Sequence, residues 1–232
     1  MTDTATYTIE PLGPFSLAAS ARFIAGWPPG DTGQPPDSDI VRLAFVLDSF
    51  AGQAGASVRE EHGVLTVTVT DPEHGPEIVT QAKRILSLNH DARDLPDVLA
   101  RDPVAERRFQ ATGGLRPVLF HSPYEAAAWS IISARIQQRQ GQAIRDQISR
   151  QFGRTVEVEG VAMPVFPTPD QLLAIEDFRG LTSEKLLRLH GVAEAALAGR
   201  LDPYRLRDLP DEEALAELQA IRGIGPFYAG LI

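Results

Sequence analysis

Cysteine is absent from this 232-residue chain, lysine occurs only at Lys83 and Lys185, and no apolar run approaches the length of a membrane span. Without thiols there is no disulfide, no thiolate zinc site and no cysteine-ligated iron–sulfur cluster. The N-terminus, Met1 to Thr8, lacks the basic-then-apolar layout of a secretory leader. Together these absences predict a cytoplasmic chain that makes no use of a membrane. Its hydrophobic content of 43% and charged content of 23% are those of an ordinary globular protein with a proper core.

The net charge of −9 argues at first against a polyanionic partner, but the charges are unevenly placed. Residues 1–100 carry six basic against fourteen acidic side chains, 101–155 nine against four, and 156–232 seven against thirteen. A local basic face matters more than the total, so the central segment could follow a phosphate backbone while the rest repels nonspecific contacts. The same segment also fits a solvated arginine-rich helix face.

Residues 1–92 read as a small α+β domain. Tyr7 to Glu10 is a strand candidate, a helix starts at Ser16 and is stopped by Pro28-Pro29-Gly30, and Ile40 to Leu47 is rich in strand formers. Val58 to Glu61 and Val64 to Val69 flank His62-Gly63, a hairpin turn, and the second run alternates with period two. A helix from about Pro76 to Leu88 follows. Residues 93–232 read as helical throughout. Pro96, Pro103 and Pro117 punctuate short helices, and Ser122-Pro123-Tyr124-Glu125 is a strong helix start. Further helices are expected at Gln138 to Phe152, closed by Gly153, then at Asp170–Asp177, Ser183–Leu197 and Asp211–Ile221. A connector separates the first of these from the rest, with Thr155 to Val158 as a strand stub.

The stretch with the sharpest chemical content is Ile221-Arg222-Gly223-Ile224-Gly225-Pro226. Asp211 is a candidate N-cap for the helix before it, two glycines stop that helix, and Pro226 sits where a second would begin. Ile224 would anchor the bend in the core. Glycines allow close backbone approach, and amides not yet committed to a helix can hold a phosphate. A plain helix–helix turn has the same pattern.

Gly114-Leu115-Arg116-Pro117, the block from Ser122 to Gly153, Phe166-Pro167-Thr168-Pro169, and Leu218 through Ala229, in that order behind a small α+β module, resemble the 3-methyladenine DNA glycosylase II family of the helix-hairpin-helix superfamily. The resemblance implies an α+β chain with an N-terminal antiparallel-sheet module and an all-helical body, C-terminally incomplete. It implies a monofunctional enzyme that flips a damaged, alkylated base out of the duplex and hydrolyses its N-glycosidic bond. The expected partner is double-stranded DNA containing a damaged base, met by a monomer.

Carried over residue by residue, the resemblance places Arg222, Gly223, Gly225 and Phe227 at the DNA backbone. Arg135 and Gln137 fall at the break between the central helices, where the family has an apolar wedge. Phe227 and Trp129 become base-pocket candidates, and the carbonyls of Gln219, Ile221 and Ile224 the holders of a monovalent cation, with no other cofactor. Phe227 stands where lyase relatives have a nucleophilic lysine, so strand cleavage is not expected. The family's catalytic aspartate follows the second hairpin helix, beyond Ile232, so no catalytic residue is assigned and these 232 residues are expected to be inactive. The competing readings are a non-catalytic binder of distorted duplex and an acidic protein-interaction module.

Overall fold

The computed structural model describes residues 4–27, 35–36 and 38–232, so the Pro28-Pro29-Gly30 stop lies outside the described residues. The elements run β1 (Ala5–Ile9), α1 (Leu17–Ala25), β2 (Ile40–Val46), β3 (Gln53–Glu61), β4 (Val64–Val69), α2 (Gly75–Ile85), α3 (Leu95–Leu99) and α4 (Pro103–Ala111). They continue with α5 (Pro123–Ser133), α6 (Gln138–Phe152), β5 (Arg154–Val158), β6 (Val161–Val165), α7 (Pro169–Leu173), α8 (Ser183–Leu197), α9 (Pro203–Asp208), α10 (Asp211–Gln219) and α11 (Pro226–Ala229). The class is α+β, as expected. Among the described residues no helix is long and apolar enough to cross a membrane.

The chain forms two compact units: residues 1–43, 54–119 and 157–161, and residues 44–53, 120–156 and 162–232. In the first, the sheet order is β1-β4-β3-β2, and β4 pairs antiparallel with both β1 and β3. His62 and Gly63 both take positive φ, 53° and 79°, the requirement of a two-residue type I′ hairpin turn. Along β4, Leu65, Val67 and Val69 are buried while Val64, Thr66 and Thr68 are half-buried, so the period-two pattern puts one face on the core with Ile78, Ala82 and Ile85 of α2. This unit extends past residue 92 for a physical reason. The Arg116 guanidinium donates to the carbonyls of Leu12, Pro14, Ser87 and His90 at 2.6–3.0 Å, fastening the 90–119 segment to the N-terminal module.

The second unit is built on α5, of whose eleven residues ten are buried. A helix apolar on every side belongs in a core, and α6 and α8 cover it. The Ser122 hydroxyl accepts from Glu125 N, the cap expected from the sequence. α6 and α8 match their expected ranges.

Several expectations need correction. The body is not all-helical: β5 and β6 form a hairpin whose turn residues, Glu159 and Gly160, again take positive φ, so the strand stub is one arm of a full hairpin. α7 ends at Leu173 rather than Asp177, and a Thr168/Gln171 capping box starts it. Asp211 is not the N-cap of α10; Pro210 is, and Asp211 joins Glu212 and Glu213 in the first turn. α10 stops at Gln219, two residues before Ile221. Pro117 lies in the irregular segment between α4 and α5 rather than at a helix end. α9 was not anticipated, although Asp202 before Pro203 is a capping signal and its carboxylate accepts from Tyr204 N and Arg205 N.

Candidate nucleic-acid interface

The hairpin between α10 and α11 has the backbone its sequence requires. Gly223 takes φ +99°, and a Cβ there would meet Ile131 Cδ1 at 2.8 Å and Arg188 Cδ at 2.9 Å. Glycine is therefore needed both for its conformation and for close packing against α5 and α8. Ile224 is 4% exposed, so it anchors the bend in the core while Arg222 and Gly223 stay exposed. Gly225 is extended, with open space where its Cβ would be. Among the described residues, the amides of Gly223, Gly225 and Phe227 donate to no protein acceptor. These exposed or half-buried donors therefore suit an anion or water.

The carbonyls expected to hold a cation pass a simple chemical test. Those of Gln219 and Ile224 accept no hydrogen bond among the described residues, and that of Ile221 accepts one from Ile224 N at 3.0 Å, leaving a lone pair. Neutral oxygens of this kind suit a hard cation.

The break between α5 and α6 is a tight turn. Ile136 N donates to Ser133 O at 3.3 Å, Ala134 takes φ −56° and ψ 123°, and Arg135 takes φ +59°. These values describe a type II turn with arginine at the position that favours glycine. Holding a side chain in the left-handed region costs roughly 1–2 kcal/mol, and such strain persists only where surrounding contacts impose it. Arg135 is exposed, and Gln137 is the exposed N-cap of α6, without a side-chain capping bond.

The first turn of α8 joins the hairpin and the break. Lys185 Nζ donates to Ile132 O at 2.6 Å and Ala134 O at 2.9 Å, satisfying carbonyl acceptors that the end of α5 leaves open. Burial lowers the Lys185 ammonium below its ordinary value, with Arg188 adding to the effect. Its neighbour Glu184 accepts from Arg188 Nε at 3.0 Å and from Arg222 Nη2 at 2.9 Å. Arg222 is thus ion-paired while still largely exposed, and the hairpin and the break sit on one scaffold of α5 and α8. Sequence reading missed both Glu184 and Lys185, beyond the helix start they belong to, because their partners lie 38 to 53 residues away.

Beneath this scaffold, Glu125 accepts from Val46 N at 3.2 Å and Arg145 Nη2 at 2.9 Å, with His121 Nδ1 3.4 Å away. Burial alone would push its carboxyl up, but His121, Arg145 and the Val46 amide outweigh that and hold it down at about 2. Arg145 and Arg116 both turn inward, so two of the nine basic residues of 101–155 serve the fold. Of the two aromatics expected at a base pocket, Phe227 is 72% exposed and stacks edge-on with Tyr228 at 5.3 Å. Trp129 is 9% exposed, beneath Gly141 of α6, and no ring contact joins it to Phe227.

No protein-family model matches the sequence. A DNA-3-methyladenine glycosylase of Bacillus subtilis (strain 168) is 26% identical over 164 residues, covering 67% of this chain and 53% of the relative. In three dimensions the chain superposes on 3-methyladenine DNA glycosylase from Archaeoglobus fulgidus with a TM-score of 0.75 and 23% identity, covering 97% of this chain and 77% of the other. The chain therefore shares the fold of that solved DNA glycosylase. An 8-oxoguanine glycosylase/lyase from Clostridium acetobutylicum, solved with double-stranded DNA, shares it at a TM-score of 0.56 and 21% identity over 76% of this chain and 63% of that one. The family resemblance drawn from the motifs is therefore present in sequence and in fold. The chain spans about half the length of the curated relative it matches.

Proposed function

We propose that this chain is the duplex-gripping part of a base-excision DNA glycosylase acting on alkylated bases. The observation that carries the reading is the junction of two features on α5 and α8: a hairpin with three uncommitted amides, and a strained, exposed arginine at the helix break. The amides of Gly223, Gly225 and Phe227 bind a phosphate beside the lesion. A monovalent cation on the carbonyls of Gln219, Ile221 and Ile224 would supply positive charge to that phosphate. Arg135 enters the gap left by the extruded base, where its planar guanidinium can stack. Phe227 offers an exposed ring to the flipped base, while Trp129, packed beneath Gly141 of α6, contributes packing to the pocket wall.

The enzyme is monofunctional on this reading. Phe227 offers no amine, and Lys185 Nζ is committed to two carbonyls. The water-activating carboxylate is left unassigned among these residues, and the chain binds damaged duplex as a monomer. The decisive experiment measures free base from alkylated DNA with a chain extended past Ile232 and with the 232 residues alone. Release by the extended chain only supports the reading; turnover by the short chain overturns the assignment of the carboxylate. A salt-dependent shift on abasic-site duplex, with no base release by either chain, leaves a non-catalytic binder of distorted DNA.

A further inference from the structure

Type I and type II turns differ by a flip of their middle peptide, which reverses the carbonyl of the second residue and the φ of the third. In the turn Ser133–Ile136 that peptide joins Ala134 to Arg135, and its carbonyl oxygen, Ala134 O, accepts from Lys185 Nζ at 2.9 Å. The same ammonium binds Ile132 O at 2.6 Å, so it is tethered at two points and does not follow a flipped peptide. Released from the lysine, the turn would relax to type I, placing Arg135 at negative φ with its side chain aimed elsewhere. Thr182 caps α8 through Lys185 N, which fixes the lysine's own backbone.

We propose that Lys185 is a positioning residue for lesion recognition: by holding the Ala134–Arg135 peptide in the type II orientation it imposes the left-handed conformation that aims Arg135 at the duplex. The inference rests on the reading of Arg135 as the residue that enters the gap. Lys185 touches no DNA and acts only through the turn.

Two readouts test it on the full chain. In NMR spectra the wild type is expected to show a strong Ala134 Hα to Arg135 amide contact and a weak amide–amide contact. Lys185→Met reverses that pattern, and Lys185→Arg, which keeps donors in reach of the carbonyls, preserves it. In anisotropy titrations Lys185→Met loses on the order of tenfold of the preference for abasic-site duplex over intact duplex, as expected for a misaimed charge-assisted contact. Lys185→Arg restores most of it. In an Arg135→Ala background Lys185→Met causes no further loss, because both changes remove one effect. Additive losses, or a Lys185→Met chain with the wild-type contact pattern, overturn the proposal. Should Lys185→Met not fold, Lys185→Gln carries both readouts. A wild type without any preference for the abasic duplex defeats the functional reading instead, and the NMR contacts still decide whether Lys185 sets the turn.

Discussion

Glu184 and Arg222 are paired across 38 residues of sequence, the Arg222 Nη2 donating to Glu184 Oε1 at 2.9 Å on the exposed face of the hairpin. The pair sets a competition: a phosphate docking on the hairpin must draw Arg222 away from a carboxylate that also repels it. Glu184→Gln removes the repulsion and frees the guanidinium. The expected result is tighter binding to intact duplex and a salt dependence steeper by about one unit of log–log slope, the signature of one more neutralised phosphate. Unchanged affinity and slope would mean that Arg222 makes no phosphate contact.

The two hairpin glycines are expected to respond oppositely. Gly223→Ala places a Cβ at positive φ within 3 Å of Ile131 and Arg188, and overpacking together with the conformational penalty destabilises by about 2 kcal/mol. Gly225→Ala meets open space at an ordinary φ of −92°, so stability changes by less than about 0.5 kcal/mol. Its methyl group nonetheless crowds the approach to the adjacent amides, so DNA affinity falls. Urea unfolding and duplex titration on the same two variants separate these effects.

Arg135 is predicted to trade stability for function. Arg135→Gly relieves the left-handed conformation at φ +59° and raises stability by up to about 1 kcal/mol, because glycine carries no Cβ penalty there. The same change abolishes the preference for abasic-site over intact duplex, and Arg135→Ala weakens binding to the abasic duplex more than to the intact one. Equal losses on both duplexes would reduce Arg135 to a phosphate contact.

Glu125 gives the protein an acid-sensitive core. Its carboxyl lies at about 2 in the folded chain against an ordinary 4.5, so its stabilising effect is complete above the ordinary value and is lost as pH falls from about 4.5 toward 2. Glu125→Gln leaves Arg145, whose side chain is 12% exposed, without its buried counter-charge, at a cost of about 3 kcal/mol. Stability measured against pH should then lose its slope between those limits; a variant retaining the wild-type slope would assign it to other carboxylates.

What the sequence determined is local. The alternation of β4, the Ser122 cap, the limits of α6 and α8, the His62-Gly63 turn and the glycine bend with Ile224 as its anchor follow from dihedral preference, capping and periodicity. These act over a few residues and can be read one after another. What lay outside that range was decided by the tertiary structure. Arg116 binds four carbonyls and so assigns the 90–119 segment to the N-terminal unit, the β5–β6 hairpin interrupts the expected helical run, α9 adds an unanticipated helix to it, and the type II turn at Arg135 contradicts local preference. The same holds for the candidate interface. Its glycines and Arg135 were legible as motifs, but the role of α8 was not, because Lys185 reaches carbonyls of α5 and Glu184 reaches the hairpin only after the core has closed around Ile131 and Ile132. Backbone carbonyls left open at a helix end carry no signature in the residue alphabet, so the donor that satisfies them is known only from the packed fold.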